Sequence, residues 1–139
     1  MKVILERKND EFLLEAKGAS GISVMIDNKS SEPVKGSSPM ELILMGVGGC
    51  SAIDIIHILK KQRQEIMGYK VEVEGERYDL DDAKPFKSMS CRVMLEGPLD
   101  PDKAKRASDL SFQKYCSVSK TFDSVVDITY TVSLNGKEL

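Results

Sequence analysis

A chain of 139 residues with 20 basic and 22 acidic side chains, a formal charge of -2 and one histidine is long enough for one domain that buries roughly two-thirds of its unfolded surface. No basic block points to nucleic acid. The first apolar run, Val3-Ile4-Leu5, meets Glu6 and Arg7 with no small-residue cleavage site behind it, so no secretion signal is expected.

Lys2 to Arg7 reads as a strand, Asn9-Asp10 as a turn and Phe12 to Ala16 as the antiparallel partner. Gly18 to Gly21 then leads into a third strand, Ile22 to Asp27. Asn28 to Ser38, with Pro33, Gly36 and four serines, is the longest loop and the expected mobile flap. Ser38 caps the helix that follows, Pro39 takes its first position, and Glu41 completes a Ser-x-x-Glu capping box. From Leu42 to Ile53 no residue carries a formal charge, so this helix, running to about Gln64, should be wrapped by protein on most sides. Glu41, Asp54 and His57 interrupt any membrane-length window, and no membrane span is expected.

Gly68 ends that periodicity. Tyr69 to Tyr78 alternates apolar with charged residues, and Asp79 to Pro85 turns the chain. Phe86 to Glu96 alternates again, with Met89, Cys91, Val93 and Leu95 on one face. Asp100 caps a second helix that Pro101 opens and that runs to about Gln113. Lys114 to Phe122 carries another helical turn or two, and Val125 to Leu134 is the last strand. The order β-β-β-α-β-β-α-β predicts the α+β class, a mainly antiparallel sheet with two helices on one side, in a single domain over residues 1–139. A homodimer would close a core that such a sheet leaves open.

Cys50, Cys91 and Cys116 lie 41 and 25 residues apart, an odd set that makes no disulfide framework and fits a reducing cytoplasm. Without a Cys-x-x-Cys pair, and with one histidine, no metal is expected. Cys50 follows Gly46, Gly48 and Gly49, each costing about 1 kcal/mol relative to alanine in a helix. Bare backbone there would admit another helix or a small substrate, while a buried packing cysteine is the plainer alternative. Cys116 is a core cysteine, or a partner for Cys50 if the two Cα atoms come within about 7 Å. Cys91 belongs to the apolar face of its strand. Asp54 lies one turn beyond Cys50 on the same face, where its charge would oppose a thiolate. His57 is two turns from Cys50, about 10 Å along the axis, and reads as a surface residue.

Ser38-Pro39-Met40-Glu41-Leu42 and Gly48-Gly49-Cys50-Ser51-Ala52, followed by Lys114-Tyr115-Cys116-Ser117-Val118-Ser119, together resemble the OsmC/Ohr family of thiol-dependent peroxidases, in particular its YhfA-like branch. The resemblance implies an intertwined homodimer with two long central helices and two sites at the subunit interface; no cofactor is expected. It implies that Cys50 attacks an organic hydroperoxide and becomes a sulfenic acid, and that Cys116 resolves it to a disulfide reduced by an external dithiol. In the organic-hydroperoxide branch a glutamate directly follows the proline. Here Met40 takes that place and Glu41 comes one residue later. That branch also carries an arginine near the first hairpin, where this chain offers Arg7 in a different motif. Glu41 and Arg7 are therefore the candidates for an activating pair. Two other readings stand beside the peroxidase: a non-catalytic dimeric binder of a small apolar or thiol-bearing ligand, and a redox sensor switched by a Cys50-Cys116 bond.

Overall fold

Strand alternation near the N-terminus and a long apolar helix after it build two units, Met1–Ile43 and Leu44–Leu139, in a computed structural model that describes residues 1–30 and 32–139. Residue 31, within the expected flap, lies outside the described residues.

In the first unit, β1 (Ile4–Arg7), β2 (Leu14–Lys17) and β3 (Ser23–Ile26) form an antiparallel sheet in chain order. The register pairs Leu5 with Ala16 and Ala16 with Val24. Leu5, Leu14, Ala16, Val24 and Ile26 therefore share one face, and Glu6, Glu15, Lys17 and Ser23 the other. On the charged face the Ser23 hydroxyl donates to Glu15 and Lys17 and Lys8 approach it to 3.2 Å. These contacts, Ser23 foremost, bring its carboxyl pKa down to about 2. The flap is tied at both ends to β3. Buried Asp27 accepts backbone N–H bonds from Asn28 at 2.8 Å and Lys35 at 2.9 Å, and Ser37 N–H donates to Met25 O. Gly36 is required by that crossing, because a Cβ there would stand 2.6 Å from the Met25 carbonyl.

The second unit contains β4 (Gly68–Arg77), β5 (Phe86–Glu96), β6 (Asp127–Leu134) and β7 (Lys137–Glu138), hydrogen-bonded in that order. The expected single antiparallel sheet is thus two sheets, and β5 pairs with β6 in parallel. The cause is the helical crossover between them, since parallel neighbours need a long connection that returns the chain to its starting end. That crossover is shorter-stepped than one long second helix. It runs as α2 (Pro101–Leu110), a π-helical turn (Ser111–Tyr115) and α3 (Ser117–Phe122). Asp100 caps α2 through Lys103 N–H at 3.1 Å.

The long helix, α1 (Pro39–Lys61), has Val47, Gly48, Ser51, Ile55 and Leu59 buried, one stripe at near four-residue spacing. It is not wrapped on most sides within the chain. On the other side Met45 is 55% and Ile53 71% exposed. By length and composition α1 could cross a membrane, yet Gly48 lies against β4, where a Cβ would meet Val73 Cγ2 at 2.9 Å and Val71 Cγ1 at 3.5 Å. Gly48 thus serves approach of a sheet rather than of a second helix. Across that sheet, Met89, Cys91, Val93 and Leu95 of β5 are buried with Val132 and Leu134 of β6.

Candidate active site

Three segments of the second unit converge on two sulfur atoms. Cys50, in the middle of α1, is half-buried, and Cys116, between the π turn and α3, has no exposed surface. Their Sγ atoms and a carboxylate oxygen of Asp54 all lie within 4.8 Å of one another. Asp54 is there because four residues is one turn of α1, which stacks its side chain beside Cys50.

Cys116 is brought there by a local irregularity. Its N–H donates to Ser111 O at 2.8 Å, the wide ring of a π turn, a feature that shifts side-chain phase and recurs at functional sites. Phe112 anchors the turn by stacking on Tyr130 of β6, with ring centroids 4.4 Å apart. Tyr130 donates its hydroxyl to Asp109 at 2.9 Å and accepts from Gln113 at 3.0 Å. At the other end of the turn, buried Ser111 points back at α1, its hydroxyl 3.3 Å from Ser51 O and 3.4 Å from Asp54 Oδ2.

The Cys116 sulfur itself caps α3, accepting Ser119 Oγ–H at 3.0 Å and Ser119 N–H at 3.4 Å. Burial pushes this thiol above its ordinary value and the neighbouring Cys50 adds to the rise, while the two Ser119 donors oppose it. The resting form is therefore the neutral thiol. Cys91 sits deeper, 2% exposed. Burial first, and Cys116 second, push its thiol up to about 11, so it is inert at neutral pH. Tyr69, whose buried hydroxyl has no hydrogen-bond partner among the described residues, is likewise pushed up, by burial and then by Cys91.

Glu41 and Arg7 are engaged within the first unit. The Glu41 carboxylate accepts from Ser38 N–H and Ser38 Oγ–H, both at 2.8 Å, while Glu41 N–H donates to Ser38 Oγ at 3.3 Å. This reciprocal capping box, led by the backbone bond, lowers the Glu41 pKa. Arg7 donates from Nε to Glu11 O at 3.0 Å and from its guanidinium to Asp10 O. It closes the β1–β2 turn. Among the described residues neither Arg7 nor Asp54 makes an ion pair. His57 is exposed on α1.

Two residues at the sulfurs escaped the reading of the sequence. Ser119 had a signal, since Cys-x-x-Ser repeats the offset of a helix cap and its third residue. Ser111 had none, because a π turn displaces it from helical phase. The arrangement can transfer oxidising equivalents from the accessible sulfur to the buried one, with a carboxylate at hand for protons. Its donor set could also hold a soft or borderline cation.

The family model described as OsmC-like protein matches residues 28–131. Protein YhfA of Escherichia coli K12 is 38% identical over 116 residues, covering 83% of this chain and 84% of that protein. A crystal structure of a hypothetical protein from Aquifex aeolicus VF5 superposes with a TM-score of 0.80 at 29% identity, covering 96% of each chain. The organic hydroperoxide resistance protein OhrB of Bacillus subtilis superposes at 0.64 with 19% identity, over 95% of this chain and 96% of its own, a likeness of fold. With three-quarters of its length matched by the family model and its two-cysteine centre built on that fold, the chain belongs to the OsmC-like protein family.

Proposed function

We propose that the chain is a thiol-dependent peroxidase that reduces organic hydroperoxides to alcohols. The observation that carries the proposal is the pairing of a partly exposed cysteine with a fully buried one, their sulfurs inside 4.8 Å. A hydroperoxide can reach Cys50 and not Cys116. The Cys50 sulfur attacks the O–O bond, which breaks to give an alcohol and a Cys50 sulfenic acid. The Cys116 thiol then condenses with it, releasing water and forming the Cys50-Cys116 disulfide, and an external dithiol returns both thiols while becoming oxidised itself.

Asp54 accepts the Cys50 proton as the sulfur attacks and passes it to the departing alkoxide. The net charge of the thiol-carboxylate pair does not change during that transfer, so the nearby carboxylate does not oppose it as it would a free thiolate. Ser111 holds the carboxylate and Ser119 holds Cys116. Glu41 and Arg7, each engaged locally, serve the helix cap and the hairpin in this scheme. The Bacillus subtilis neighbour, named for organic hydroperoxide resistance, is consistent with the substrate class.

The working molecule is a homodimer in the reducing cytoplasm. Two surfaces favour the dimer: the α1 stripe of Met45, Gly49 and Ile53, and the apolar face of the first sheet, on which Leu5 and Val24 are half exposed. Exposed apolar area of this kind is costly unless a partner covers it. The test is consumption of cumene hydroperoxide in the presence of a dithiol. Wild type should turn over and Cys50→Ser should not. Equal consumption by both would remove the mechanism, and retention of an apolar ligand without consumption would favour a binding protein.

A further inference from the structure

We propose that the reduced protein binds one zinc-class divalent cation per chain through Cys50, Asp54 and Cys116, and that this metal-bound state and the Cys50-Cys116 disulfide exclude one another. The three donor atoms already form a triangle with no side longer than 4.8 Å. Zinc holds thiolate sulfur at about 2.3 Å and carboxylate oxygen at about 2.0–2.2 Å. In a tetrahedral site those radii put donors roughly 3.5–4 Å apart. A contraction of about 1 Å or less therefore completes the three-ligand face, and the partly exposed side of Cys50 leaves a fourth position for water.

The donor types select the ion. Two sulfurs suit zinc and its softer relatives, whereas magnesium and calcium require a shell of oxygens. Two thiolates and a carboxylate carry three negative charges, and the Asp54 carboxylate has no cationic side chain paired with it among the described residues. Both outer ligands are oriented from behind, Cys116 by the Ser119 hydroxyl and N–H and Asp54 by the Ser111 hydroxyl, the kind of support that fixes metal ligands. A spacing rule cannot find this site, because its sulfurs lie 66 residues apart (116 minus 50).

Binding releases two thiol protons to solvent as the two metal-sulfur bonds form. Resting on the peroxidase reading, oxidation runs the other way. An organic hydroperoxide takes two electrons from the sulfurs, its O–O bond breaks, and two protons from solvent complete the alcohol and water. The S–S bond replaces both metal-sulfur bonds and the cation departs. A bound cation would in turn shield Cys50 from peroxide.

Cobalt(II) serves as the probe, titrated without oxygen or peroxide into fully reduced protein. Tetrahedral d–d bands and sulfur-to-cobalt charge-transfer bands should saturate at one equivalent per chain and vanish on adding one equivalent of zinc. Cys50→Ser and Cys116→Ser should each lose half or more of the charge-transfer intensity, Asp54→Asn should weaken binding at least tenfold, and Cys91→Ala should leave the titration unchanged. As a check independent of variant folding, zinc should slow alkylation of Cys50 in wild type, and protein carrying the disulfide should bind no cobalt. Absent bands, undiminished bands in Cys50→Ser, or dependence on Cys91 would overturn the site. Because no peroxide is present, such a failure is distinct from a failure of turnover in the peroxidase assay.

Discussion

Replacing Gly48 by alanine sets two effects of known sign against each other. Alanine is favoured over glycine in a helix interior by about 1 kcal/mol. Its Cβ, however, would stand 2.9 Å from Val73 Cγ2 and 3.5 Å from Val71 Cγ1. Val73 is β-branched and stiff, and its strand is fixed by pairing with Cys91 of β5. The side chain cannot swing aside cheaply, so α1 must lift or β4 must bend, an overpacking cost of roughly 1–3 kcal/mol. The net expectation is a loss of about 1 kcal/mol. Gly46→Ala is the control, since its Cβ would meet Val118 Cγ1 at an ordinary 3.7 Å and should gain up to about 1 kcal/mol. Urea denaturation at equal protein concentration should therefore separate the two variants by about 2 kcal/mol with unchanged m-values. Equal stability would refute the close seating of α1 on β4, and with it the device that sets the height of Cys50.

Asp54→Asn keeps the shape of the site but removes the proton acceptor, so hydroperoxide consumption should fall about 100-fold at saturating dithiol, read by stopped-flow; an unchanged rate would eliminate its role. Ser38→Ala removes the α1 cap and should cost about 1 kcal/mol in chemical denaturation, with no loss expected if the capping box were incidental. The Cys91 thiol is raised from 9.0 to about 11 in the folded protein, so the native state holds its proton where the unfolded chain has lost it. The Cys91 contribution to stability should be constant below about pH 9 and be lost through about pH 11, on the order of 2 kcal/mol in all, with the raised Cys116 thiol adding to the decline from about pH 9 and Tyr69 above pH 10. Cys91→Ala should make the curve shallower between about pH 9 and 10, leaving the part that the raised Cys116 thiol contributes, as followed by denaturation midpoints.

Much of this molecule was written in local pattern. The Ser-x-x-Glu box at Ser38 and Glu41, the alternation of Phe86 to Glu96 and the Asp-Pro start of α2 each depend on neighbours a few residues away, and each is found in the structure. The neighbour relation of Asp54 and Cys50 was legible for the same reason. What failed to show depends on phase or on distant cover. The π turn alters the direction of Ser111 and Cys116 without any residue that announces it, and Phe112 needs Tyr130, eighteen positions on, to hold it. Hydrophobicity told that α1 is apolar all round, but not that its own chain covers only the stripe from Val47 to Leu59. The parallel β5–β6 pair was implicit in the strand-helix-strand order, which is the signature of a crossover.

The central claim is that the accessible Cys50 sulfur is oxidised and then captured by Cys116. One equivalent of cumene hydroperoxide added to fully reduced protein, followed by acid quench, proteolysis and mass spectrometry, tests it directly. The account predicts loss of two hydrogens per chain, a peptide pair linked through Cys50 and Cys116, and Cys91 still free. A Cys50 left unoxidised, or a disulfide that involves Cys91 instead of Cys116, would contradict it.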